Sequence, residues 1–291
     1  MSVADWSLAL EHRLAAALTR YYGESVAITL VEPLASGLTN RCLRLTDTLG
    51  GQTVWRPNSG AVDAFAIDRT REAQAQSLAA KNGLARRPIV QLPEGLLVPW
   101  VPGEPLSDLD GDHQSILIHL LARIHNLPTD LERSPVEAQC AHYETQLSAS
   151  VRSRLNALKG WVLQQHPSPK GEEKVVCHMD LGAYNVVIAE DGTPCVLDWE
   201  YARVADAHLD IALFCRANGE VPDAVVEQYC MIRHIDNVSH TLARVNAWLP
   251  FTDYLALCWY EVGAKLYGLP AYKEAADALY EQLSAEGQAK A

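Results

Sequence analysis

Residues 175–202 read VVCHMDLGAYNVVIAEDGTPCVLDWEYA and contain two short β-type runs, Val186-Val187-Ile188 and Cys195-Val196-Leu197. The segment between them, Glu190-Asp191-Gly192-Thr193, carries Asp-Gly, a strong hairpin signal. Polar groups crowd the ends of the runs: His178, Asp180 and Asn185 before the first, Asp198 after the second. A hairpin sets Asn185 beside Asp198 at its open end, with Asp180 on the loop that feeds it. Two carboxylates and an amide supply oxygen ligands for a hard cation, and a base.

The spacing is more specific than its parts. His178-x-Asp180-x-x-x-x-Asn185 matches the kinase catalytic loop, and Asp198-Trp199-Glu200 stands where protein kinases have Asp-Phe-Gly. In phosphoryl transfer, Asp180 would orient or accept the proton of an attacking hydroxyl, while Asn185 and Asp198 would hold Mg²⁺ against the phosphates of ATP. His178 reads as an orienting residue rather than a proton carrier. Two blander readings stand beside this one: a structural His–Asp pair, and a metal hydrolase. The second needs more His or Cys partners than the neighbourhood offers.

Outward from this stretch, residues 5–22 read as an amphipathic helix with an apolar stripe of Trp6, Leu8, Leu14, Ala17, Leu18 and Tyr21. Three strands follow, at Ile28–Val31, Cys42–Leu45 and Thr53–Arg56, joined by Ser36-Gly37-Leu38-Thr39-Asn40 and by Leu49-Gly50-Gly51-Gln52. A helix runs from an Asp68 N-cap to just before Gly83, with Glu72 early on it. Strands at 88–93 and 96–101 lead to a Pro/Gly-rich connection at Pro99, Pro102, Gly103 and Pro105. Beyond it the chain reads as helical, at 116–127, 141–165, 206–218, 222–233, 238–248, 251–267 and 271–285. The pattern predicts a two-lobed α+β protein-kinase-like fold, with an antiparallel-sheet lobe at 1–101 and a mainly helical lobe at 102–291. Backbone N–H groups of the Ser36–Asn40 turn would cover phosphates, and Arg56 would reach them, oriented by Glu72.

These pieces resemble the aminoglycoside phosphotransferase and choline kinase superfamily, with its bacterial thiamine kinase-like members. The resemblance rests on SGLTN at 36–40, VWR at 54–56, Glu72, LLVPWVPGEPL at 96–106, LARIHNLP at 121–128, HMDLGAYN at 178–185, LDWEYA at 197–202 and Asp210 in HLDIA. It implies Asp180 as catalytic base and Asn185 and Asp198 as Mg²⁺ ligands. It further implies Ser36, Gly37, Thr39, Asn40, Arg56, Glu72 and Trp100 around ATP, with Asp210 bracing the catalytic loop. Arg56 departs from the family's usual lysine but is similar to the thiamine kinase-like branch.

The remaining question is the acceptor. Met179 stands where regulated protein kinases place arginine, and no APE-like segment follows Asp198, so a small alcohol fits better than a peptide. Asp and Glu number 36 against 24 Lys and Arg, a net charge of −12, which argues against nucleic-acid or anionic-membrane partners and suits a cationic substrate. The resemblance offers thiamine first, then choline or ethanolamine, then aminoglycosides. A quaternary nitrogen favours aromatic faces and carboxylates, which Trp199-Glu200-Tyr201 and Trp259-Tyr260-Glu261 could provide; core packing is the competing role for Trp259 and Tyr260. A catalytically silent nucleotide-binding protein is the reading from a different class. Seven scattered cysteines without CxxC, no secretory signal and no long apolar run point to a cytoplasmic protein, with Cys177 and Cys195 as packing residues.

Overall fold

A computed structural model describes residues 6–34, 42–128, 131, 135–167 and 173–289. The glycine-containing turn with Ser36, Gly37, Thr39 and Asn40 lies outside the described residues. Helix α1 (Leu8–Tyr22) is capped by Ser7, whose hydroxyl accepts from the Leu10 N–H, and ends at Gly23 in the left-handed region. Its buried face is Leu10, Leu14, Ala17 and Leu18. Leu8 and Tyr21, expected on that stripe, are 73% and 52% exposed.

The first sheet is built from β1 (Ile28–Pro33), β2 (Leu43–Asp47), β3 (Gln52–Pro57), β4 (Val90–Leu92) and β5 (Gly95–Pro99), in the order β1-β2-β3-β5-β4 and antiparallel throughout. Leu43, Leu45, Trp55 and Leu97 alternate onto one face and pack against the α1 stripe. Between β3 and β4 run α2 (Gly60–Ala64) and α3 (Arg69–Lys81). Asp68 caps α3 by accepting from Thr70 and Arg71 N–H, as its position before the helix predicts.

After Pro99 the chain changes sheets. Strand β6 (Gly103–Pro105) leaves the first sheet and pairs with the later hairpin. The approach is close: a Cβ on Gly103 would lie 2.1 Å from the Ile188 carbonyl oxygen, so only glycine fits. Packing follows a different line from strand membership. Phe65, Ala75, Ala79 and Leu84, from the sheet half of the chain, belong to the large core of the helical half.

That half contains α4 (Gln114–His125), α5 (Val136–Gln146), α6 (Ala149–Gln165), β7 (Lys174–Cys177), the hairpin β8 (Val186–Ala189) and β9 (Pro194–Val196), β10 (Arg203–Asp206), α7 (Ala207–Asn218), α8 (Pro222–Arg233), α9 (Val238–Tyr267) and α10 (Pro270–Ala289). The helix expected at 141–165 is two helices, because Ser148 caps a fresh start by accepting from the Val151 N–H. The two expected at 238–248 and 251–267 are one, with Pro250 inside it. A helix-interior proline costs about 3 kcal/mol. The buried face of Trp248, Phe251, Tyr254, Leu257 and Cys258 along the joined helix outweighs that. Among the described residues no helix is long and apolar enough to cross a membrane. All seven cysteines are buried, Cys177 and Cys195 among them.

Candidate active site

The hairpin read from sequence forms with Val186 opposite Val196 and Val187 opposite Cys195. Gly192 turns at φ 80°, and the Asp191 carboxylate accepts from the Thr193 N–H. One further bond, from Leu197 N–H to the Asn185 carbonyl at 2.8 Å, clasps the open end and brings Asn185 next to Asp198. Strands β7 and β10 pair antiparallel outside this hairpin and anchor both ends of the 175–202 stretch. Each is only four residues long, too short to show a period.

The loop before the hairpin is fixed by its own polar groups. His178 is fully buried. Its Nε2 donates to the Leu197 carbonyl at 2.9 Å, and its Nδ1 accepts from the Asp180 N–H at 3.3 Å. Burial lowers its basicity below the ordinary histidine value. Met179 sits in the left-handed region, φ 72°, unusual for a side chain of its size. Asp210, in the first turn of α7, holds that turn open by accepting from the N–H groups of His178 at 3.0 Å and Met179 at 2.8 Å.

Asp180 itself accepts from the Tyr184 hydroxyl at 2.6 Å and from the Asn185 amide at 3.1 Å. Burial pushes its carboxyl up to about 7; the Tyr184 bond opposes the shift and the nearby Asp198 charge adds to it. Because the Asn185 nitrogen is committed to Asp180, its amide oxygen is the atom left for a cation. Asp198, left-handed at φ 58°, follows the second strand.

Arg56, at the end of β3, reaches across to this hairpin. Its Nε pairs with Glu72 at 2.6 Å, and its Nη2 bonds Glu200 at 2.9 Å and Asp198. Burial works against the charge, but Asp198 and Glu72 together hold Arg56 well above its ordinary value. A second arginine, absent from the sequence reading, completes the cage: Arg69 bonds Glu72 at 2.5 Å and Glu200 at 3.3 Å. Its signal was available, since Arg69 and Glu72 stand three apart on one helix face. Burial raises the Glu200 carboxyl to about 8, helped by Asp198 and resisted by Arg56.

A cleft of about 810 Å³ opens beside these groups. One end is apolar, with Leu34, Cys42, Val54, Val98, Trp100 and Val101; the other is aromatic, with Tyr143, Tyr184, Tyr201, Trp259 and Tyr260. Trp100 is half-buried, with the Arg44 guanidinium 5.6 Å from its ring centre. Trp259 lines the aromatic end and donates to the Tyr201 hydroxyl at 3.1 Å. Two sequence expectations need correction. Trp199 is fully buried behind the 178–185 loop, its indole donating to the Val196 carbonyl and its ring edge-on to His178, so it does not line the cleft. Glu200 borders the cleft, but its carboxylate is bound to Arg56 and Arg69 instead of standing free for a substrate. Tyr201 is the member of that triplet that lines the aromatic end, as the sequence reading allowed for it.

An antiparallel sheet over a helical body, with a carboxylate loop and an arginine cage at one cleft, defines a protein-kinase-like phosphotransferase that acts on small-molecule hydroxyls. The pattern of the phosphotransferase enzyme family matches residues 30–245, and the chain belongs to that family. A thiamine kinase from Escherichia coli O17:K52:H18 is 25% identical over 235 residues, spanning 79% of this chain and 81% of its own. Another from Salmonella paratyphi B is 24% identical over 205 residues, spanning 70% and 73%. Among solved structures, choline kinase from Streptococcus pneumoniae superposes with a TM-score of 0.72 at 17% identity, over 97% of this chain and 100% of its own. A crystal structure of the same choline kinase with AMP gives 0.68 at 18% identity, over 94% and 99%.

Proposed function

We propose that this protein transfers the γ-phosphate of ATP to the hydroxyl of thiamine, with Mg²⁺ at Asn185 and Asp198. The acceptor hydroxyl attacks the γ-phosphorus, the bond to the bridging oxygen of ADP breaks, and the hydroxyl proton passes to Asp180. Tyr184 and Asn185 aim that carboxylate, and His178 and Asp210 fix the loop under it. Arg56 binds phosphate oxygens with a planar fork that Glu72 orients. The donor set suits Mg²⁺: hard oxygens, one carboxylate and one amide, with room for phosphate and water. When bound, the ion would neutralise charge on the phosphates.

The single observation that favours a small cation over an aminoglycoside is the aromatic end of the cleft, where the carboxylates are already spent. Glu200 is held by two arginines, and Asp253 bonds Arg216 at 2.6 Å. Behind them, Glu261 pairs with Arg154 and Lys273. A polycationic aminoglycoside needs convergent free acids. A ring-bearing cation is served by the faces of Tyr184, Tyr201, Trp259 and Tyr260. Aromatic faces serve the quaternary nitrogen of choline as well; the thiamine kinases among its relatives put thiamine first, with choline or ethanolamine second.

The test is ADP release with ATP and Mg²⁺ across thiamine, choline, ethanolamine and kanamycin. Thiamine is expected to give the highest kcat/KM. Turnover led by kanamycin would overturn the reading, and nucleotide binding without turnover on any of the four would favour the silent one.

A further inference from the structure

The LARIHNLP stretch contributes one buried polar side chain, His125, at the end of α4. Its Nε2 lies 3.0 Å from Asp210 Oδ2 and its Nδ1 lies 2.6 Å from the Tyr229 hydroxyl. Asp210 only accepts, so the ring proton sits on Nε2, and Nδ1 accepts from Tyr229. The Tyr229 oxygen in turn accepts from Arg233 at 3.1 Å, and Arg233 pairs with Glu173 at 2.7 Å. A donor-to-acceptor chain therefore runs from Arg233, which also donates to Glu173 beside β7, through Tyr229 and His125 to Asp210. At Asp210 it meets the two N–H groups that hold His178 and Met179. Packing alone does not require this histidine, because leucine would fill a similar volume without asking for two buried partners.

We infer that His125 is a positioning residue for phosphoryl transfer: by fixing the Asp210 carboxylate it sets the His178–Met179 backbone, and so the direction of Asp180. The Met179 peptide is held in a disfavoured conformation, and an Asp210 free to rotate would let it relax. This rests on Asp180 acting at the acceptor hydroxyl. None of Glu173, Arg233, Tyr229, His125 and Asp210 lines the cleft, so loss of the chain acts through the loop and reaches kcat before ATP affinity.

Three variants test the inference: His125→Leu removes both bonds, His125→Gln returns an N–H donor toward Asp210, and Tyr229→Phe removes one hydroxyl. Each is measured for kcat, KM for ATP, melting temperature and amide exchange of the peptide 175–185. His125→Leu is expected to lower kcat by about tenfold to a hundredfold with KM for ATP within about twofold, as for a small misplacement of a reacting group. Exchange at the His178 and Met179 amides speeds up, and His125→Gln recovers most of the rate. A folded His125→Leu with kcat within about twofold of the parent and unchanged exchange would overturn the inference. So would His125→Gln behaving like His125→Leu, since volume rather than the donor would then matter. Should His125→Leu not fold, Tyr229→Phe decides: unchanged kcat and exchange overturn the inference, and a drop in kcat with faster exchange supports it. If the parent transfers no phosphate to any acceptor, the reaction assignment has failed, and the exchange comparison alone decides the role of His125.

Discussion

Arg56→Lys is the most informative single exchange, because it keeps the charge and removes only the fork. Arg56 uses two directions at once, Nε toward Glu72 at 2.6 Å and Nη2 toward Glu200 at 2.9 Å and Asp198. A lysine ammonium has three donors but sits at one point, so it cannot span Glu72 and Asp198 together as the fork does. Glu72 and Glu200 both retain Arg69, at 2.5 and 3.3 Å, so a lysine turned toward Asp198 leaves no carboxylate alone. The loss is therefore about one close ion-pair contact, roughly 2 kcal/mol on the scale of a charge-assisted hydrogen bond, rather than the roughly 3–5 kcal/mol of a broken buried pair. Solvent screens the pair little, since Arg56 is 11% and Glu72 1% exposed. At about 2–4 °C per kcal/mol for a chain of this size, the melting temperature falls by about 4–8 °C. Loss of the planar fork also weakens ATP binding, by about tenfold. Thermal unfolding followed by circular dichroism, together with an ATP titration, measures both. The cage predicts coupling as well: Arg56→Lys combined with Glu200→Gln should fall short of additivity by about 1 kcal/mol. A lysine variant melting within about 1 °C of the parent, with additive behaviour toward Glu200→Gln, would refute the idea that the fork carries the cage.

Three other outcomes are expected. Asp180→Asn keeps ATP affinity but lowers turnover by about 10²–10⁴, the worth of a general base, and a loss under about tenfold would remove Asp180 from that role. Trp259→Ala raises KM for the acceptor by about tenfold, the scale of a desolvated cation–π contact, and leaves KM for ATP alone; equal changes in both would place Trp259 in the scaffold. Asp206 is the acid-stability group: burial pushes its carboxyl up, but bonds from His208, Trp248 and Arg244 override this and hold it well below the carboxylate range. A depressed folded value means stability that is full above the unfolded value near 4 and lost as pH falls below it. Urea unfolding of Asp206→Asn should thus show a deficit at neutral pH that narrows as the solution is acidified below about pH 4, and a deficit that widens there would reverse the assignment.

What was legible in the sequence is the part whose chemistry is local. Asp180, Asn185 and Asp198 lie within one hairpin and its feeding loop, so spacing alone placed them together. Arg56 and Glu72 needed the order of strand and helix, and the structure does pair them. The Trp199-Glu200-Tyr201 triplet failed because it forms a single 3₁₀ turn. With three residues per turn, successive side chains point about 120° apart: Trp199 into the core, Glu200 into the arginine cage, Tyr201 into the cleft. Adjacency in sequence wrongly gave them one environment. On α1, Leu14, Ala17 and Leu18 are buried as expected, while Leu10 completes the face in place of Leu8 and Tyr21. Pro250 misled for a different reason: its cost is local, while the burial that overrides it lies along the whole of α9.

The two left-handed side-chain residues of the site, Met179 and Asp198, show why the motif alone does not make the site. Each such conformation costs about 1–3 kcal/mol and persists only where its surroundings over-determine it. Asp210 does this for Met179 through two N–H bonds. The Leu197–Asn185 backbone bond and the Arg56 contact do it for Asp198. Asp180 follows the first of these residues directly, and Asp198 is the second. The directions of both carboxylates are therefore set by residues outside the motif: Asp210 on α7, Arg56 on β3, and His125 on α4. Placing HMDLGAYN and LDWEYA on another hairpin would reproduce the spacing but not the two backbone conformations.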